Sequence, residues 1–443
     1  MFLPDSENTF DGLLLGWKKK RPSQQFGFQN PSSIDKPRKI AASAEASPVL
    51  YDGNSHLMTF APTGAGKGRG MIIPTLLRYP GSVVVIDPKG ENYAVTADQR
   101  RKMGQKVVVL DPFHRATRGK SEGDRFNVFD IFKLPNTIID ADASMLAWQL
   151  AAGHSFSKDA FWDNTAAAFM FGLICHVATA FDDSDRNLNR VLKYLYADDI
   201  VYGLAVLLDS KTVKCPQAHR EIAAFLQLPD RDTRPSVLAT ALSWVKSLNM
   251  QCVEETLESS TFDLQDLLDG HPISIYLCIP PDKLLSHRSL LRMWIAALMT
   301  TVLRRETCPD RQTLFVLDEC AQLGTMPLLE QAVTLLRGYG LQVWTFWQDL
   351  EQVRANYPNR HETLINNAAV LQAFGISNGR MAQQLTEVLD CSAAELMGMK
   401  CDELRVCING RGSQTCLLPD YLSDAAFQGL WNDNPFFGKS SGK

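Results

Sequence analysis

The sequence predicts an α/β fold in which a parallel sheet carries a phosphate-binding loop and is interrupted by an all-α insertion. Three observations lead there. Residues 57–60 read as a short strand and residues 71–77 as a helix, and Ala61-Pro62-Thr63-Gly64-Ala65-Gly66-Lys67-Gly68 joins them. Residues 83–86 and 107–110 are runs of valine, isoleucine and leucine with no polar alternation, the pattern of strands covered on both faces. From about 140 to 251 almost everything has helical periodicity, with few strand-like runs.

The loop is the most informative stretch. Strand, glycine loop, lysine, helix is the layout of a phosphate cradle. The glycines let backbone N–H groups turn toward an anion, the helix N-terminus adds a partial positive charge, and Lys67 adds a full one. Thr63, Gly64, Ala65, Gly66, Lys67 and Gly68 are the candidate nucleotide-binding residues. The stretch departs from GxxxxGK followed by Ser or Thr at both ends, with Ala61 first and Gly68 last. The missing hydroxyl at Gly68 matters more, because that oxygen normally contacts Mg²⁺ and a water has to replace it. A dinucleotide loop fits less well, since GxGxxG fails at Arg69 and has no need of Lys67.

Taken in order, residues 1–48 are expected to form an N-terminal arm rich in proline, serine and glutamine, with a basic run from Lys18 to Arg21 that is a solvated patch or a polyanion contact. The nucleotide-binding domain is expected over 49–135, with strands at 57–60, 81–87 and 106–112. An all-α domain follows over 136–258, with helices at 142–152, 159–181, 188–196, 199–209, 215–227 and 234–249. The nucleotide-binding domain resumes over 259–443, with strands at 272–280, 312–317, 342–346 and 370–374. Residues 165–181 are apolar enough to suggest a membrane span, but His176 within and Asp163, Asp182 and Asp183 at the ends favour a buried helix. No transmembrane segment is expected. The apolar run 13–15 precedes the basic run, the wrong order for a signal peptide.

Composition narrows the class. A chain of 443 residues accommodates two or three domains. With 45% hydrophobic and 21% charged residues it is globular, not disordered. A net charge of −4 excludes a uniformly basic nucleic-acid surface, so any polyanion contact must be local or built by an oligomer around a channel. The ten cysteines include no CxxC pair and no His at zinc spacing, so they read as reduced, mostly buried thiols.

The second half of a phosphate site would be an acidic pair at a strand end. Residues 312–317 are such a strand, closing in Asp318-Glu319. Asp318 is the candidate Mg²⁺ ligand and Glu319 the candidate for polarising the attacking water. Gln348, after the next strand, suits an amide that reads the γ-phosphate or orients water. Arg337 lies between the acidic pair and that strand, where it could act as a finger on a neighbouring subunit's nucleotide or satisfy helix C-terminal carbonyls. Asp87, Lys89 and Glu91 close another strand and either border the site or pin its loop. Phe161, Trp162 and Phe169 read as core of the helical domain.

Residues 61–68, 73–77 and 85–92, with Asp111-Pro112-Phe113, Leu317-Asp318-Glu319, Leu323-Gly324 and Trp347-Gln348-Asp349-Leu350, resemble the type IV secretion coupling proteins of the TraG/TraD kind, over about 51–422. That family tolerates glycine after the lysine. The resemblance implies a RecA-like P-loop nucleotide-binding domain with an inserted all-α substrate-recognition domain. It also implies ATP and Mg²⁺ as cofactors, and hydrolysis between the subunits of a homo-hexamer. It implies transfer of DNA–relaxase complexes or protein effectors to a secretion channel. Lys67, Asp318 and Glu319 match the family's nucleotide and catalytic positions, and Arg337 and Gln348 match its trans-acting arginine and sensor glutamine by motif order. Such proteins usually carry N-terminal transmembrane helices; the expectation here is a cytoplasmic member without them, reaching the inner membrane through partners. The alternatives are a soluble DNA translocase or helicase, and a nucleotide-gated substrate adaptor with little hydrolysis.

Overall fold

The computed structural model describes residues 12–19, 47–119, 123–151 and 160–436. Eleven strands form one sheet: β1 (Leu13–Lys18), β2 (Pro48–Tyr51), β3 (His56–Phe60), β4 (Val83–Ile86), β5 (Lys106–Leu110), β6 (Ile273–Leu277), β7 (Thr313–Leu317), β8 (Leu341–Trp347), β9 (Ala368–Phe374), β10 (Glu403–Ile408) and β11 (Gly412–Leu417). Their order across the sheet is β2-β1-β11-β10-β9-β3-β8-β7-β4-β6-β5. From β9 to β5 all pairs are parallel. Every residue of β3, β4, β6, β7 and β8 is buried, which is why none of these strands carries Asp, Glu, Lys or Arg.

The remaining strands extend the sheet antiparallel from β9 through β10 and β11 to β1 and β2. This half was not anticipated. β11 alternates exposed and half-buried positions, and β10 carries Glu403 and Arg405, so neither is a continuous apolar run. Within the stretch expected as an arm, Leu13–Lys18 is a strand whose three leucines are buried. A buried polar chain ties it to the parallel half. The Trp344 indole donates to Thr59 Oγ1 (2.8 Å), Thr59 donates to Gln372 Oε1 (3.1 Å), and the Gln372 amide donates to the Leu15 carbonyl (3.2 Å). Each of these buried groups gains a partner, and the register of four strands is pinned beneath the loop that follows β3. Of the basic run, Lys18 and Lys19 are described, and Lys19 pairs with Glu403 at 2.7 Å; Lys20 and Arg21 lie outside the described residues.

The all-α insertion leaves the sheet after β5 and returns at β6. Its helices start where short polar side chains cap them: Asn187 accepts the Arg190 N–H and Asp199 the Tyr202 N–H, while Pro216 sits at the first position of Pro216–Gln227. Ala160–Ala180 is the central helix, packed on Ile139–Ala151, Pro216–Gln227 and Thr233–Val245. No helix among the described residues is long and apolar enough to cross a membrane. Phe169 is buried and stacked on Phe225, with ring centroids 3.8 Å apart, but Phe161, expected in the core, is exposed on the first turn of its helix. All ten cysteines are free thiols, and Cys215, Cys252, Cys391 and Cys407 are half-buried. Cys175, Cys278, Cys320 and Cys416 are buried, whereas Cys308 and Cys401 are exposed.

Arg288–Leu303 joins the insertion to the sheet. Its Arg292 is fully buried, and its guanidinium donates to the Leu323 (2.9 Å) and Thr325 (2.7 Å) carbonyls on one side and the Gln149 carbonyl (3.2 Å) on the other. One side chain therefore links a helix of the insertion to the turn that follows the acidic pair.

Candidate active site

The loop after β3 is held at its entrance, where the Ala61 N–H donates to the Trp347 carbonyl at 2.8 Å. Gly64 (φ 82°) and Gly66 (φ 93°) adopt left-handed backbone that side chains disfavour. A Cβ at Gly64, Gly66 or Gly68 would meet nothing within 4 Å, so the loop opens onto free space rather than onto packed protein. Beyond Lys67 the chain makes a short π-helical turn, Gly68–Ile72, that runs into the helix Ile73–Arg78. The turn aims its first amides back at the cavity.

Lys67 is only 8% exposed. Its Nζ lies 3.0 Å from Glu319 Oε1 and 3.8 Å from Asp318 Oδ1, both beyond the end of β7. The other oxygen of Glu319 accepts from the Gln348 amide at 3.2 Å. Glu319 has φ 53°, a left-handed conformation unusual for a side-chain-bearing residue, and its N–H donates to Asp318 Oδ1 at 3.0 Å. Burial pushes the Asp318 carboxyl up to about 6, the Lys67 charge opposing this and the Glu319 charge adding to it. The structure thus brings Lys67, Asp318, Glu319 and Gln348 to one place. Arg337 lies in the short turn Arg337–Tyr339 before β8, and its side chain is outside the described residues.

Asp87 and Lys89 form the wall beyond β4. Asp87 is buried and accepts the N–H groups of Glu91 (3.1 Å) and Tyr93 (2.8 Å), which starts the helix Glu91–Lys102; burial raises its carboxyl to about 7. It pins the turn and also lines the cavity. Gly90, at φ 67°, packs so tightly that a Cβ there would sit 2.6 Å from Ala116 Cα. The pinned turn leaves Lys89 exposed in the cavity beside Asp318, whose charge it stabilises.

The cavity itself has a volume of about 1390 Å³ and runs over the loop, both carboxylates and the Asp87–Asn92 turn. It is also lined by Gly375, Cys401, Asp402 and residues 418–422, which sequence reasoning missed. They follow or precede the antiparallel strands, so no motif announces them. Among the described residues no group of three His, Cys, Asp or Glu side chains is arranged to cage a metal ion. That donor set fits Mg²⁺, which takes one or two carboxylates from a protein and completes its shell with phosphates and water. The open flank of Gly68 gives such a water room.

Residues 15–394 match the family described as Type IV secretory system Conjugative DNA transfer. The conjugal transfer protein TraG of Escherichia coli is 26% identical over 366 residues, covering 77% of this chain and 55% of that protein. The type IV secretion system-coupling protein VirD4 of Bartonella quintana is 26% identical over 311 residues, covering 68% and 47%. The chain therefore spans about half the length of the curated relatives it matches. Among solved structures, the unbound bacterial conjugative coupling protein TrwB superposes with a TM-score of 0.65 at 15% identity, covering 84% of this chain and 87% of that one. TrwB in complex with ADP and Mg²⁺ gives 0.64 at 16%, covering 87% and 90%. The shared fold is a RecA-like nucleotide-binding domain with an all-α domain. Since the match takes in the phosphate loop, the helical insertion and the acidic pair, the chain belongs to the type IV secretory system conjugative DNA transfer family.

Proposed function

We propose that the chain is an ATP-hydrolysing motor of the coupling-protein type, which recruits DNA–relaxase complexes or protein effectors and drives their transfer to a secretion channel. It would work as a homo-hexamer on the cytoplasmic side of the membrane, with the domain at 136–258 receiving substrate. The observation that carries this reading is that Lys67, Asp318 and Glu319 face one cavity with the glycine loop, with Gln348 donating to Glu319 behind them. The solved structures of TrwB with ADP and Mg²⁺ and with a non-hydrolysable ATP analogue support the choice of ligand.

When bound, Mg²⁺–ATP supplies a γ-phosphoryl group whose negative charge the metal helps to spread. The loop amides of residues 63–68 would hold the phosphates, and Lys67 would exchange its carboxylate partner for phosphate oxygens. Asp318, deprotonated, would hold the metal. Glu319, freed from Lys67, would accept the proton of the attacking water, with Gln348 keeping that carboxylate oriented. Arg337 would act from the neighbouring subunit.

The test is ATP hydrolysis by the purified full chain with and without single- or double-stranded DNA. DNA-stimulated turnover that disappears in Lys67→Ala and Glu319→Gln is expected. Nucleotide-dependent protein binding that survives Glu319→Gln, with no turnover in the wild type, would make the chain an adaptor instead.

A further inference from the structure

The helical insertion holds two sulfurs in contact. Cys175 lies in Ala160–Ala180 and is fully buried, and Cys215 is the half-buried residue that opens Pro216–Gln227. The Cys175 thiol donates to Cys215 Sγ at 2.9 Å, and the Cys215 thiol donates to Gln217 Oε1 at 3.4 Å. The two cysteines are 40 residues apart in the chain. Among the described residues no other two thiols share a hydrogen bond; the exposed Cys308, for instance, donates to the Gly338 carbonyl.

The backbone on both sides builds this contact. Gly172 lies one turn before Cys175, and the facing helix comes so near that a Cβ there would sit 2.9 Å from Glu221 Cβ. The Cys215 backbone is extended (φ −84°, ψ 121°), and its carbonyl accepts the His219 N–H at 3.0 Å, which anchors it to the first turn of its helix. The sulfurs of a disulfide lie about 2.05 Å apart, so closing the bond asks for a movement of about 0.9 Å, within reach of small side-chain rotations.

The two thiols differ in access. Cys215 is partly open to solvent, whereas Cys175 is sealed behind it. Burial, and after it the hydrogen bond with Cys215, raises the Cys175 thiol above its ordinary range. An oxidant from solvent therefore meets Cys215 first, with Cys175 already in place to displace it.

We propose that Cys175 and Cys215 form a reversible dithiol–disulfide site, oxidised by a low-molecular-weight disulfide such as oxidised glutathione. The Cys215 sulfur attacks one glutathione sulfur. A bond forms between them, the glutathione S–S bond breaks, and the departing glutathione takes up the Cys215 proton. The Cys175 sulfur then attacks Cys215 Sγ, and the second glutathione leaves with the Cys175 proton. Two protein thiols become one disulfide, and one oxidised glutathione becomes two thiols. The new bond staples Ala160–Ala180 to the start of Pro216–Gln227 and closes a loop holding Leu188–Leu195 and Ile200–Asp209. Such a loop restricts the unfolded chain and so favours the folded one. In a reducing compartment thiols open the bond again, which makes it a record of oxidation rather than a permanent cross-link.

The reduced full chain is exposed to excess oxidised glutathione, quenched in acid and read by peptide mass spectrometry without reduction. The Cys175 and Cys215 peptides should appear linked, lighter by two hydrogens than the reduced pair, and dithiothreitol should part them. The exposed Cys308 and Cys401 show that the reagent is active. In Cys175→Ser the reaction should stop with glutathione on Cys215, and in Cys215→Ser the Cys175 thiol should stay free. Oxidised wild type should melt about 5 °C above the reduced protein, a difference that vanishes in Cys215→Ser. Glutathione retained on Cys215 of the wild type, or both thiols unmodified while Cys308 and Cys401 react, would overturn the site. Modification of Cys175 in Cys215→Ser would overturn the order of attack, and equal melting of oxidised and reduced wild type would overturn the staple.

Discussion

Lys67 Nζ and Glu319 Oε1 lie 3.0 Å apart although 252 residues separate them in the chain. The contact spans the whole helical insertion, and it joins the end of β3 to the end of β7 across β8, which lies between them in the sheet. It also gives Glu319 a partner that a bound phosphate would compete for. The same carboxylate keeps its second oxygen on the Gln348 amide.

Glu319→Gln is expected to separate binding from chemistry. The amide keeps the size and the bond to Gln348 but cannot take a proton. Nucleotide affinity measured by calorimetry should be retained, while phosphate release falls by about 10²–10⁴-fold. Lost binding at intact fold would show that Glu319 holds the loop rather than acts on water.

Arg337 is tested by mixing. If it reaches across a subunit boundary, adding Arg337→Ala chains to wild type should lower turnover by more than dilution requires, because each variant subunit disables a neighbour. Activity strictly proportional to the wild-type fraction would assign Arg337 to its own subunit.

Gly90→Ala should destabilise the protein by about 1–3 kcal/mol, since the added Cβ meets backbone at 2.6 Å in a left-handed turn. Thermal unfolding measures the loss. The same variant should weaken nucleotide binding, because the displaced turn carries Lys89. A Tm equal to that of wild type would contradict the packing described for this turn.

His176 makes stability depend on acid. It is buried in Ala160–Ala180, with Nε2 3.1 Å from the Tyr194 hydroxyl, and burial lowers its pKa to about 4. The unfolded chain takes up this proton near pH 6.5, whereas the folded one refuses it until about pH 4. Stability is therefore lost as pH falls through that window, by at most about 3 kcal/mol. His176→Gln, followed by thermal unfolding from pH 7 to pH 4.5, should show a shallower decline than wild type. Parallel curves would mean that another group titrates.

How much was legible follows from physics at particular residues. Strands β3, β4, β6, β7 and β8 are buried on both faces, so residues such as Val83–Ile86 and Thr313–Leu317 carry their signal in composition alone. Lys67, Asp318, Glu319 and Gln348 stand at the ends of such strands, where fold and chemistry coincide. β1 was hidden because three leucines in a polar stretch are too short a run to distinguish a strand from a stray apolar cluster. β10 and β11 were hidden because polar residues interrupt them: Glu403 and Arg405 in β10, although no residue of that strand is exposed, and Ser413, Gln414 and Thr415 in β11. With those strands went the wall at Leu418–Leu422. The Arg69–Asp420 pair spans 351 residues and has no periodicity to reveal it. Phe161 was misplaced because a helical aromatic near a helix start has the same spacing whether it faces core or solvent.

The most direct measurement is phosphate release from ATP by wild type and Lys67→Ala, with and without Mg²⁺. The account predicts turnover that requires the metal and falls to background in the variant while the variant's circular dichroism stays that of wild type. Equal turnover in the two proteins, or a folded wild type that binds no nucleotide with Mg²⁺ present, would contradict it.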